Sequence, residues 1–120
     1  LKDIRALAER DERNIDENFG SRQRIDVFDD YITHMLGYVD HANLKSLKLV
    51  VNAGNGTAGI AIDGLETHLP FEFVKIHHEP DGKFPNGIPN PLLPENRSAT
   101  IEAVLANGAD MGIDQRDDFA

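Results

Sequence analysis

Five of the six prolines in this 120-residue chain fall in one stretch, HHEPDGKFPNGIPNPLLPEN, at 77–96. Proline fixes φ, has no N–H to donate, and steers the residue before it out of the helical region. Pro80, Pro85, Pro89, Pro91 and Pro94 together therefore exclude a helix or a central strand here. The segment must be a long loop, and such a loop inside a domain either serves a site or is disordered linker. Linkers are poor in large apolar groups. This loop carries Phe84, Ile88, Leu92 and Leu93, which favour an ordered loop pinned to a folded surface.

Around the loop, hydrophobic periodicity alternates between helix and strand. Residues 1–12 read as a short helix with Leu1, Ile4 and Ala8 on one side, and the charged stretch 11–24 as a connection. Ile25, Phe28, Tyr31, Ile32, Met35, Leu36 and Val39 recur at helical spacing, predicting an amphipathic helix. LKLVVNA at 47–53 and FEFVKIHH at 71–78 read as strands. Between them Thr57 can cap a helix carrying Ile62, Leu65 and Leu69, which Pro70 stops. After the proline loop, Asn96 or Ser98 can cap another helix with Ile101, Val104 and Leu105 inward. Gly108 stands where a left-handed C-terminal residue belongs, and ADMGI at 109–113 reads as a third strand. Strands alternating with helices predict an α/β fold, a three-layer αβα arrangement with a mainly parallel or mixed sheet. The expected division is an N-terminal helix and connecting segment over 1–24 and an α/β domain over 25–120.

Composition narrows the function classes. With 40% apolar residues the length suits one folded unit without disulfides or a structural metal, and the lack of cysteine removes thiolate chemistry and leans towards the cytoplasm. No apolar run approaches the ~18 residues of a membrane span. The net charge of −9 is spread along the chain, with six basic and ten acidic groups in 1–43 and six and eleven in 44–120. Phosphate-rich partners need clustered Lys and Arg, so neither nucleic acid nor an anionic membrane is an expected partner.

Four sets of residues carry candidate chemistry. Gly54, Gly56 and Gly59 match G-x-G-x-x-G between a strand and a helix, and Glu79 lies where a dinucleotide fold holds a ribose hydroxyl. The other meaning of those glycines is a tight turn with close helix–sheet packing. Adjacent strand residues face opposite ways, so His77 and His78 cannot chelate one metal together, and His34, His41 and His68 have no ligand spacing with them. Lys83 and Asn86 can offer polar contacts to a ligand, or stand in a solvated turn. Asp114, Asp117 and Asp118 follow the third strand, at the sheet edge where ligands and metals sit, and three carboxylates can hold Mg²⁺. Chain ends are also commonly disordered. No complete catalytic set is present.

LKLVVNAGNGTAG, FEFVKIHHEPDGKFPNGIPNPLLPEN and ANGADMGI, in this order and spacing, resemble the second domain of the α-D-phosphohexomutases, in particular the bacterial phosphomannomutase/phosphoglucomutases. The helix DVFDDYITHMLGYVD resembles the approach to that domain, so the likeness covers roughly 25–113. It implies a fragment of an enzyme that interconverts hexose 1-phosphates and 6-phosphates through a phosphoserine and Mg²⁺, with sugar phosphate and the remaining domains as partners. It implies that the chain alone is inactive, because the serine, sugar-selecting and phosphate-binding loops belong to the other domains. The family's metal loop, D-G-D-x-D-R, should begin just after ADMGI. This chain reads DQRDDFA there, so Asp114, Asp117 and Asp118 do not match the family's ligands one by one. The alternatives from other classes are a stand-alone dinucleotide module and a non-catalytic interaction domain.

Overall fold

The structure is a computed structural model and describes residues 1–10 and 20–115. Its helices are α1 (Lys2–Glu9), α2 (Phe28–Leu36), α3 (Ala58–Glu66) and α4 (Ser98–Asn107), and its strands β1 (Lys48–Asn52), β2 (Glu72–Ile76) and β3 (Met111–Asp114). Short 3₁₀ turns occupy His41–Asn43 and Pro94–Arg97. All pairing is parallel, in the order β2-β1-β3, which makes the expected α/β class concrete.

The sequence places its most continuous apolar run in the middle strand, as a parallel strand covered on both faces requires. Leu49, Val50 and Val51 of β1 are buried, with Val50 and Val51 fully so. Val50 lies opposite Val74 and Gly112, and Val51 opposite Lys75 and Ile113. Side chains alternate along a strand, so these two rows face opposite layers. Lys75 reaches α3, where its Nζ lies 2.7 Å from Asp63 Oδ1 and 2.6 Å from Glu66 Oε2. Asn52, one position beyond Val51, reaches α4 instead, donating to Thr100 Oγ1 at 3.0 Å. Helices α3 and α4 therefore cover opposite faces, as right-handed crossovers in opposite directions demand.

Three expectations are corrected by this packing. Helix α4 turns Thr100 and Val104 to the sheet, while Ile101 and Leu105 are 54% and 76% exposed. The contact point on β3 is Gly112, where a Cβ would come within 2.7 Å of Thr100 Cγ2 and 2.9 Å of Val104 Cγ2. That close approach selects the β-branched pair. Helix α2 begins at Phe28, so Ile25 lies ahead of it and exposed, and Ile32 is its buried residue, packed on α3 at Gly64. In the proline loop, Ile88, Leu92 and Leu93 are exposed rather than pinned. Polar contacts order that loop: Arg97 donates to the carbonyls of Pro91 and Leu92, and Asn96 to that of Asn90.

The Lys75 ammonium first, and His78 second, hold the Asp63 carboxyl below the usual carboxylate range, while Asp63 and then Glu66 raise Lys75. Asp63 is 54% exposed and water screens the pair, so Lys75→Met is expected to cost at most about 1 kcal/mol in urea unfolding. A depressed folded-state value means the stabilisation is present above roughly pH 4 and fades as pH falls through it. The gap between wild type and Lys75→Met should therefore narrow on acidification. A constant gap would assign the loss to packing alone.

Candidate functional site

The site builds up at the C-terminal edge of the sheet. From β1 the chain leaves towards α3, and from the adjacent β2 it leaves, through the proline loop, towards α4 on the other face. Two neighbouring strands whose connections diverge open a crevice at their C-terminal ends, where ligands of open α/β sheets bind. Asn52 ends β1 beside that crevice and is only 6% exposed. A buried amide needs partners. Its Oδ1 lies 3.0 Å from the Gly54 amide nitrogen and 3.2 Å from His77 Nδ1, and its Nδ2 donates to Thr100 Oγ1. Thr100, 5% exposed, donates in turn to Asp114 Oδ1 at 2.5 Å, at the end of β3. One polar chain thus ties together the ends of all three strands and the first turn of α4.

A cavity of about 120 Å³ lies against this chain, lined by Asn52, Gly54, His77 and Asp114 together with loop residues Asn86 to Pro91, Glu95 and Asn96. Ligand pockets commonly measure about 300–1,000 Å³, so a ligand would enter this one with an edge and not whole.

The glycine turn is packed against the protein's own chain. Gly54 has φ +60°, and a Cβ on it would stand 2.4 Å from Pro89 Cβ. A Cβ on Gly59 would stand 2.3 Å from the His78 carbonyl oxygen and 3.2 Å from its ring. Pro89 and His78 thus occupy the space directly against both glycines. Asn55, between the glycines at φ +58°, accepts from Asn86 Nδ2 at 2.8 Å and donates to the Glu79 carbonyl at 2.9 Å. Of the two meanings of Gly54, Gly56, Gly59 and Glu79, tight turn and close packing is the one realised, and the dinucleotide alternative is corrected.

The remaining candidates separate. Asn86 lines the cavity, whereas Lys83 stands exposed on the preceding turn, its amide bonded to Asp81 Oδ1. His77 and His78 follow β2 and diverge, one ring reaching Asn52 and the other Asp63, with His77 at a left-handed φ of +46°. Asp114 joins the polar chain, while Asp117 and Asp118 lie outside the described residues. Mg²⁺ takes six oxygens in near-octahedral array. Among the described residues no group of three His, Asp or Glu side chains could hold a metal, and Asp114 already has one oxygen engaged by Thr100. The described donor set therefore does not amount to a Mg²⁺ site. Sequence reasoning missed Asn52 and Thr100. The available signal was a polar residue inside the most apolar strand.

A family described as phosphoglucomutase/phosphomannomutase, alpha/beta/alpha domain II, matches residues 29–117. Phosphohexose mutases of Xanthomonas campestris pv. campestris are 66% identical over 89 residues, covering 74% of this chain and 20% of theirs. The phosphomannomutase of Salmonella typhimurium is 53% identical over 126 residues, covering 99% of this chain and 28% of its own. Among solved structures, a phosphoglucomutase/phosphomannomutase family protein from Burkholderia thailandensis superposes with a TM-score of 0.69 at 37% identity, covering 77% of this chain and 20% of that one. The chain thus spans between a fifth and somewhat over a quarter of the length of these relatives. Among the described residues no helix is long and apolar enough to cross a membrane.

Proposed function

Because the chain belongs to the phosphoglucomutase/phosphomannomutase family, as its alpha/beta/alpha domain II, we propose that it serves as the second domain of an enzyme interconverting hexose 1-phosphates and hexose 6-phosphates. The observation that carries this reading is the extent of the match, which runs over the sheet, its helices and the proline loop that closes the strand-end crevice. In this reading residues 25–120 form the domain, the remaining domains are its partners, a cytoplasmic sugar phosphate is the substrate, and the chain alone turns nothing over. The exposed Ile88, Leu92 and Leu93 support it, since an apolar loop surface of this kind suits burial against neighbouring domains. Asn86, at the cavity, is a candidate substrate contact, with Lys83 beside it on the loop and outside the cavity lining.

Mg²⁺ belongs to the reading as a cofactor of the whole enzyme, where such an ion neutralises charge on a transferred phosphoryl group. Asp114, a carboxylate lining the cavity, is a candidate to hold it, with Asp117 and Asp118 as further candidates. No step is assigned to the ion, because the described donors do not assemble around it.

A domain exchange tests the proposal. Residues 29–114 replace the matching segment of the Salmonella typhimurium phosphomannomutase, leaving that enzyme's own loop after β3 in place. The expected result is a chimera that interconverts mannose 1-phosphate and 6-phosphate within about tenfold of the parent rate, equivalent to about 1.4 kcal/mol in the barrier. The 120-residue chain assayed alone should show no turnover. A folded chimera without activity would sink the proposal.

A further inference from the structure

The polar chain at the strand ends fixes which proton each of its members carries, and this singles out His77. A backbone N–H can only donate, so the Asn52 side-chain atom 3.0 Å from the Gly54 nitrogen is the oxygen. The amide nitrogen then faces Thr100 Oγ1, which must give its own proton to Asp114. Asn52 Oδ1 has no proton, so the contact with His77 Nδ1 requires a hydrogen on that ring nitrogen. Beside the Gly54 N–H, which also donates to Asn52 Oδ1, donation runs from His77 through Asn52 and Thr100 to Asp114.

We infer that His77 is a ligand-contacting residue: in its neutral form it is held as the Nδ1–H tautomer and presents Nε2 as the acceptor for a hydroxyl of the sugar phosphate at the strand-end cavity. The ring lines that cavity, Nε2 makes no hydrogen bond among the described residues, and it is not among their buried unpartnered atoms. His77 also sits at the divergence of the β1 and β2 connections, and its left-handed φ of +46° turns the ring towards Asn52 and the crevice. The inference rests on the mutase reading for the identity of the ligand, and on the hydrogen-bond chain alone for the tautomer.

The test is ¹⁵N NMR of the histidine rings in the 120-residue chain, combined with a titration of mannose 1-phosphate and a parallel titration of inorganic phosphate. The expected spectrum gives His77 as the Nδ1–H tautomer, with mannose 1-phosphate moving Nε2 and inorganic phosphate leaving it in place. His77→Asn supplies an N–H where Nδ1 stood and nothing where Nε2 stood. It should unfold at the wild-type midpoint yet bind mannose 1-phosphate about fivefold more weakly, the size of one net hydrogen bond. An Nε2–H tautomer overturns the inference, as does an Nε2 signal unmoved by mannose 1-phosphate, or unchanged binding by His77→Asn. An equal movement with phosphate alone overturns the assignment to a hydroxyl. None of these readouts needs turnover, so an inactive chimera with a responsive His77 would sink the mutase reading and leave the contact standing.

Discussion

Gly54→Ala is expected to destabilise the chain by about 3 kcal/mol, and to do so by lifting the proline loop off the sheet edge. Two costs combine. Gly54 has φ +60°, where an alanine loses roughly 1–2 kcal/mol relative to glycine. Its new Cβ would also stand 2.4 Å from Pro89 Cβ and 2.9 Å from Pro89 Cγ. A proline ring has no rotamer by which to withdraw, so the backbone must move, at a cost of about 1–3 kcal/mol. Domains are stable by only about 5–15 kcal/mol, so the loss is readily seen as a fall in urea midpoint. Gly82→Ala is the control. It lies in the same loop, its φ is not positive and a Cβ on it would have nothing within 4 Å, so its effect should stay within about 0.5 kcal/mol. Equal midpoints for Gly54→Ala and wild type would mean that the loop does not rest on the glycine turn.

How far the fold could be read from the sequence follows from where the signals are local. Val50 and Val51 announced a buried strand, and Gly108, at φ +57°, closes α4 as its position suggested. Pro80 to Pro94 announced the loop, because proline acts on its own backbone whatever the surroundings. Facing was harder. A helical wheel makes Ile101 and Leu105 as plausible inward residues as Val104, and only the bare backbone at Gly112 decides which side of α4 fits. Helix caps were also set by context: Thr57 makes no side-chain capping bond, and the Pro94–Arg97 turn leads directly into α4. The site was the least legible part. Asn52 and Thr100 are 48 positions apart, and nothing local marks them as partners. The G-x-G-x-x-G spacing was visible but ambiguous, since the same glycines admit a phosphate or the chain's own Pro89 and His78. By its place in FEFVKIHH, His77 reads as a strand residue. Its left-handed turn, which carries the ring across to Asn52, is not marked by the strand pattern around it, although histidine tolerates that conformation better than most residues.

The buried pair at the centre of the site should govern stability as strongly as the glycine turn. Asn52→Leu keeps the volume roughly constant, so little of its cost comes from a cavity. The cost comes from groups left behind. The Gly54 N–H, buried under the proline loop, loses its acceptor, and an orphaned buried donor costs about 1–3 kcal/mol. The bonds to Thr100 and His77 are lost as well, each worth about 1 kcal/mol net. His77 recovers part of this by turning its Nδ1–H to water, so the expected total is about 3 kcal/mol. Thr100→Val is the complementary change: it orphans Asn52 Nδ2 and removes the donor to Asp114, for about 2 kcal/mol. If donation runs through Thr100 from Asn52 to Asp114, the two residues act as one unit. Asn52→Leu and Thr100→Val combined should then cost less than their sum, by about 1 kcal/mol, because the bond between them can be lost only once. Strictly additive urea midpoints would divide the chain into two separate contacts. The His77 tautomer would then be uncoupled from Asp114, while the Gly54–Asn52–His77 contacts would still require a proton on Nδ1.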